Sequence, residues 1–255
     1  MSDSPPTILD VSTSPTLQGD LAHRQLQLYA RDLKTSYQEA KLRATALEEA
    51  YFETVRRLVE ASQARDSETG AHLERMQRYI AVFGRYLGWS AQRIHQTSLA
   101  ASLHDIGKIA IPDGVLRKRG ALDETEWALM KRHTEIGARL LAGSPSPILQ
   151  IAESIARTHH ERWDGSGYPH GLAAMAIPIE GRLVMLADQY DALRSPRSYK
   201  EPLSHCETVA ILTRGDGRTR PEHFDPEILT LFLELEHEFE AIYDSSTDQP
   251  EDDMF

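Results

Sequence analysis

His104-Asp105-Ile106-Gly107-Lys108 sets an imidazole beside a carboxylate, with a lysine four positions after the histidine. On a helix, neighbours of this kind send ligands in two nearby directions, and a residue at i+4 shares a face with residue i. Working outward, Glu68 and His72 are also four apart, a spacing that lets both point at one metal ion. His133 stands alone on a helical segment, His159-His160 is a second adjacent pair, and Asp188 sits in the apolar stretch Leu183 to Leu193. An unpartnered carboxylate in such a stretch would be costly to bury. Taken one at a time, plainer readings win: a lone histidine is more often a hydrogen-bonded core or surface residue, and a Glu–His pair is usually a solvated face. Taken together, eight imidazole and carboxylate groups from five segments are what borderline divalent metals such as iron, manganese or zinc require. Their number suits a cluster with shared carboxylates, not a closed tetrahedral zinc site.

The segments carrying these groups read as helices separated by short breaks, and strand-like alternation is scarce, so the predicted class is all-α. The main breaks are Gly88-Trp89-Ser90, Pro112-Asp113-Gly114, Gly143 to Pro147, and Trp163 to Pro178. Glu124 to Ala142, Ser146 to His160 and Leu183 to Leu193 each read as one helix. Asp225-Pro226 offers an N-cap followed by proline at the first helical position. Ile228, Leu229, Leu231, Phe232, Leu235 and Phe239 then give a closing helix its apolar face.

Upstream, residues 21–64 contain neither glycine nor proline. Positions 26, 30, 33, 37, 40, 44, 47, 51, 54, 58 and 61 keep a 4–3 spacing and hold mostly Leu, Ala and Tyr. That is a heptad pattern, and it predicts a long helix forming a coiled-coil stalk and a homodimer. The alternative is a helix folded back on its own domain, toward which Phe52, Val55 and Val59 widen the stripe. Residues 1–20, rich in Ser, Thr, Pro and Asp, are expected to be a disordered leader, and 244–255 a disordered acidic tail. This leaves 65–243 as the catalytic domain.

The 255 residues, 40 % of them apolar, can fill a sizeable core. The mean hydropathy of -0.45 and the lack of any apolar run near ~18–20 residues count against an integral membrane protein. Residues 1–20 have no apolar segment of the kind a secretory signal needs. A single cysteine, Cys206, rules out an intrachain disulfide and suits a cytoplasmic location. The net charge of -11 looks ill-matched to an anionic ligand, but the two acidic ends carry eight of those charges. The body between them is close to neutral.

Seven blocks resemble the HD-GYP family of HD-domain phosphohydrolases. His104 to Lys108 is similar to the HD signature, and Arg65 to His72, His133 to Gly137, His159 to Pro169, Ala187 to Leu193, Arg197-Ser198-Tyr199-Lys200 and Phe224-Asp225-Pro226 follow in family order over roughly residues 65–240. The resemblance implies an HD-domain helical bundle and a phosphodiesterase that opens cyclic di-GMP to linear pGpG and on to GMP. The alternative is a non-catalytic scaffold that binds the nucleotide. The implied metal ligands are His72, His104, Asp105, His133, His159, His160 and Asp188, with Asp105 bridging two ions. Glu68 matches the ligand of a third ion. The metal implied is iron, with manganese the alternative. Lys108, Arg197 and Lys200 match phosphate-holding groups, and Asp105 and Lys108 carry the catalytic roles. The Gly167-Tyr168-Pro169 loop resembles a rim that meets the nucleotide and partner proteins, a diguanylate cyclase among them. The ligand is then a cyclic dinucleotide and not a polymeric nucleic acid. One deviation, Arg194-Ser195-Pro196 ahead of Arg197, alters the surroundings of the phosphate grip.

Overall fold

The computed structural model describes residues 15–63, 70–196 and 202–246. Glu68, Arg197 and Lys200 lie outside them, as do residues 1–14 of the expected leader and 247–255 of the expected tail. Among the described residues there is no strand, and the all-α reading holds. The chain divides into two units, residues 1–55 and 56–255.

The first helix, α1 (Pro15–Gln63), runs 49 residues. It begins inside the expected leader, at a proline that suits a first helical turn because its missing N–H has no intrahelical partner there. Leu26, Leu33, Tyr37 and Leu47 of the heptad positions are all exposed.

The second unit holds α2 (Gly70–Tyr86), α3 (Ala91–Ala101), a 3₁₀ turn over Ile106–Ala110, the short α4 (Asp113–Leu116), α5 (Glu124–Lys131), α6 (His133–Leu141) and α7 (Pro147–Thr158). A 3₁₀ turn at Ala174–Ala176, α8 (Ile179–Arg194), α9 (His205–Arg214), a 3₁₀ turn at Pro221–His223 and α10 (Pro226–Ser245) complete it. The helix starts carry their own signals. Ser90 accepts from the Arg93 amide at α3, and Asp123–Glu126 and Ser204–Glu207 form reciprocal capping boxes at α5 and α9. At α10 the Asp225 carboxylate accepts from the Glu227 amide behind Pro226, as the sequence predicts.

Helix α2 buries Leu73, Met76, Ile80 and Phe83, an i, i+3, i+7, i+10 stripe, and packs against α3, α8 and α10. Its Tyr79 stacks on Phe239 of α10 at 4.5 Å between ring centres and meets Tyr190 of α8 edge-on at 5.7 Å. Phe83 and Phe232 close the same cluster against Phe239. Each such ring contributes on the order of 2–3 kcal/mol through burial. The cluster clamps α2, α8 and α10 together, and with them the polar ends of α2 and α8.

Two readings need correction. Glu124 to Ala142 is two helices, broken at Arg132 without glycine or proline. The His133 Nδ1–H and the Thr134 hydroxyl donate to the carbonyls of Met130 and Lys131, taking the acceptors that a continuing helix would use. The acidic tail begins later than residue 244, because α10 extends to Ser245 and Asp244 receives a hydrogen bond from Arg194 at 2.9 Å.

The 3₁₀ turn lies against α6 with no room to spare. A Cβ on Gly107 would overlap the His133 carbonyl oxygen and stand 2.5 Å from the Gly137 nitrogen. Backbone atoms cannot swing aside as a side chain can. Gly107→Ala is therefore expected to cost on the order of 3 kcal/mol, lowering Tm by roughly 10 °C. A circular-dichroism melt superimposing on wild type would show that this contact does not hold the turn.

Candidate metal centre and active site

Five elements deliver polar groups to one place. His72 comes from the first turns of α2, and His104 and Asp105 from the turn after α3. His133 is the first residue of α6, His159 and His160 follow α7, and Asp188 comes from α8. The groups gather in two sets, Asp105 with His133, His159 and His160, and His72 with His104 and Asp188. Within each set the ligand atoms all lie within 4.8 Å of one another.

Asp105 stands between the sets. Its Oδ1 is 3.1 Å from His133 Nε2 and 3.6 Å from His159 Nε2, while Oδ2 is 3.2 Å from His104 Nε2. Asp188 Oδ1 lies 3.8 Å from His72 Nε2 and 3.9 Å from His104 Nε2.

The far side of each ring fixes what the near side can be. His104 Nδ1 is 2.8 Å from the Ala101 carbonyl, and His133 Nδ1 is 2.8 Å from that of Met130. His159 Nδ1 is 3.0 Å from the Ile155 carbonyl, and His72 Nδ1 is 2.8 Å from the Asp191 carboxylate. All four partners only accept, so each Nδ1 carries the hydrogen and Nε2 is the ring atom left to face inward as a ligand. Burial, reinforced at His160 by the neighbouring imidazoles, pushes His159 and His160 below the ordinary histidine range, toward the neutral form. Burial alone would raise the Asp105 pKa, but the charge of Lys108 holds it well below the usual carboxylate range. His133 and His159 Nε2 thus face each other at 3.4 Å with an ionised carboxylate oxygen beside both. Three lone-pair donors at such distances repel unless a cation lies among them. The donor set, mixed nitrogen and oxygen, fits a borderline divalent ion.

Lys108 reaches the site by another route than the expected helical face. His104 and Asp105 lie past the end of α3, and Lys108 is in the 3₁₀ turn, where residues three apart eclipse. Its Nζ lies 2.9 Å from Asp105 Oδ2, an i, i+3 pair.

Tyr168 forms a rim. Its ring lies 4.7 Å from that of His160 and edge-on to Trp127 of α5 at 5.7 Å. Burial pushes its phenol far up, so it stays protonated and able to donate. The Tyr168–Pro169 peptide is cis. A Cβ on Gly167 would stand 2.5 Å from the Glu161 Cα and 2.6 Å from the His160 carbonyl oxygen, so glycine lets the loop lie directly on the histidine pair.

Four contributors carry no role in the sequence reading. Asp191, buried one turn past Asp188, receives two hydrogen bonds from Arg75, at 2.6 and 2.8 Å, besides that from His72. Burial would raise its pKa, but the bonds from Arg75 and His72 hold it far below the usual carboxylate range. Glu161, almost wholly buried, accepts from the amides of His170 and Leu172 and so fixes the loop. Trp127 is half-exposed beside Tyr168. The i, i+3 repeat of aspartates on α8 was the one available signal, because Arg75 and Glu161 declare themselves only through their partners.

A family model for the HD domain matches residues 53–228. The chain belongs to the HD-domain family. The chain is 39 % identical over 229 residues to a 3'3'-cGAMP-specific phosphodiesterase 2 of Vibrio cholerae, covering 90 % of this chain and 43 % of that one. It is 38 % identical over 246 residues to a cyclic di-GMP phosphodiesterase of Thermotoga maritima, covering 95 % and 66 %. It is 45 % identical over 196 residues to the cyclic di-GMP phosphodiesterase response regulator RpfG of Xanthomonas campestris, covering 77 % and 51 %. The chain thus spans between 43 and 66 % of the length of these relatives.

In this HD domain, Glu161→Ala strands two loop amides. Both lose a hydrogen bond to a carboxylate, so the loop carrying Tyr168 should loosen. The expected result is faster amide exchange at His170 and Leu172 and a weaker KM, with kcat less affected. Unchanged exchange would mean that other contacts fix the loop.

Proposed function

We propose that this HD domain is a metal-dependent phosphodiesterase that opens cyclic dinucleotides to their linear forms, cyclic di-GMP first among them, which it converts to pGpG and then GMP. One observation carries the reading: six imidazole and carboxylate groups converge in two sets on either side of Asp105. The relatives named for cyclic di-GMP and for cGAMP supply the substrate class.

His133, His159, His160 and Asp105 would hold one ion, and His72, His104, Asp188 and Asp105 a second, iron by preference and manganese as the alternative. When bound, such a pair supplies Lewis acidity, easing deprotonation of water and neutralising charge on a phosphodiester. The chain's own groups do the rest. Asp105 offers one oxygen to each set. Lys108 Nζ, held 2.9 Å from Asp105, is placed to donate to a phosphoryl oxygen as charge develops. The protonated Tyr168 phenol and the Trp127 face bound the entrance, where a purine base can lie against them. Arg197 and Lys200 add two cations within four residues, suited to a diphosphate ring. Glu68, four residues before His72, is the candidate ligand for a third ion.

The exposed heptad side chains of α1 support a homodimer through residues 21–64. Sedimentation should give a dimer for the full chain and a monomer for Leu33→Asp/Leu47→Asp. A variant that stays dimeric would remove this helix from the interface. No helix among the described residues is long and apolar enough to cross a membrane, which fits a cytoplasmic enzyme.

Anaerobic incubation of iron- or manganese-loaded protein with cyclic di-GMP, and separately with 3',3'-cGAMP, followed by chromatography, tests the activity. Conversion of cyclic di-GMP to pGpG is expected. Binding without conversion under either metal would overturn the enzyme reading in favour of a nucleotide-binding scaffold.

A further inference from the structure

A second group of metal-ligand type lies away from this centre, where α9 meets α10. His205, the first residue of α9, is 6 % exposed, and its Nε2 is buried without a hydrogen-bond partner. Glu236 and His237 of α10 bring their ligand atoms within 4.8 Å of it and of each other. Glu240, on the next turn of α10, places Oε2 4.0 Å from His205 Nε2 and 3.8 Å from His237 Nδ1. No residue of this group belongs to the centre around Asp105.

We propose that His205, His237 and Glu240, with Glu236 beside them, form a second divalent-cation site, suited to zinc, that ties the start of α9 to α10. The chemistry of His205 argues for an ion and not for an ordinary core histidine. Its Nδ1 lies 3.0 Å from the Tyr190 hydroxyl, which also receives a hydrogen bond from Arg194 at 3.1 Å. If Nδ1–H donates to that oxygen, Nε2 is a buried lone pair with no donor. If the hydroxyl donates to Nδ1, Nε2 is a buried N–H whose near acceptor, Glu240 Oε2, stands 4.0 Å away, beyond hydrogen-bond distance. A buried polar atom left in either state costs about 1–3 kcal/mol. A cation on Nε2 removes the penalty and selects the first tautomer, in which the tyrosine orients the imidazole as outer partners of ligating histidines do.

The spacing suits this role. Tetrahedral zinc at the usual bond lengths sets its ligand atoms about 3.4 Å apart, a few tenths of an ångström inside the 3.8 and 4.0 Å found here. His237 and Glu240 are the more exposed members, with side chains 86 % and 39 % accessible, and can close that distance by rotation. Two imidazoles with carboxylates favour zinc or a neighbouring late transition ion over magnesium or calcium, which take oxygen ligands.

The test uses the full chain. Wild type, His237→Ala and Glu240→Gln are equilibrated at micromolar free zinc, freed of loose metal, and analysed for zinc per chain. Thermal melts are taken with and without zinc. Both substitutions fall on accessible side chains, so melts in chelator should match wild type. The expected result is one zinc fewer per chain in His237→Ala, with part of the zinc-induced rise in Tm lost, and weakened retention in Glu240→Gln. Equal zinc content and equal Tm rise in all three proteins would overturn the site. Cyclic di-GMP turnover, measured alongside, reports on the other centre and separates failure here from failure there.

Discussion

Asp105→Asn is expected to reduce cyclic di-GMP hydrolysis by a factor on the order of 10³ or more, equivalent to about 4 kcal/mol of transition-state stabilisation. The carboxylate faces both ligand sets, with one oxygen near His133 and His159 and the other near His104 and Lys108. An amide keeps the size but loses the charge, and half of its bridging capacity becomes an N–H donor pointed at lone pairs. The substitution should therefore leave the helical circular-dichroism spectrum intact while turnover disappears and metal content per chain falls. Turnover within tenfold of wild type would mean that Asp105 does not link the two sets.

The second large effect lies behind the ligands. Asp191→Ala leaves the Arg75 guanidinium buried without its carboxylate, and breaking a buried ion pair from one side costs about 3–5 kcal/mol. Tm should fall by roughly 10 °C. Metal affinity should drop about 10–100-fold as well, because His72 loses the partner that fixes its tautomer. The double variant Arg75→Met/Asp191→Leu separates the two losses. Replacing both charges with apolar side chains should restore most of the thermal stability, yet His72 still lacks its acceptor and metal binding stays weak. If the double variant recovered both, Asp191 would matter to the core alone.

Much of the site was legible in the sequence. The groups that gather around Asp105 are those that the joint occurrence of His72, His104-Asp105, His133, His159-His160 and Asp188 singled out, because each alone reads as an ordinary residue and only together do they suit a metal. The helical breaks at Gly88 and Pro112 and the Asp225-Pro226 start of α10 were equally plain, since glycine, proline and capping residues act through their own backbone. What stayed hidden depends on partners distant in the chain. The break at Arg132 is made by the side chains of His133 and Thr134 bonding backward to carbonyls, and a helical pattern runs through it unbroken. Lys108 meets Asp105 through a 3₁₀ turn that composition does not distinguish from α-helix. Arg75, 116 residues before Asp191, looks like any surface arginine on an amphipathic helix until α8 packs against it. Trp127 and Tyr168 meet only because the loop after His160 folds back over α5 and α6.

The most direct test of a two-ion centre bridged by Asp105 is low-temperature electron paramagnetic resonance of the manganese-loaded full chain. It is best done on His237→Ala, so that an ion at α9 and α10 does not contribute. A spectrum of an exchange-coupled pair, collapsing to an isolated-ion signal in Asp105→Asn, is the expected result. Isolated-ion signals alone in a fully loaded, catalytically active protein would contradict it.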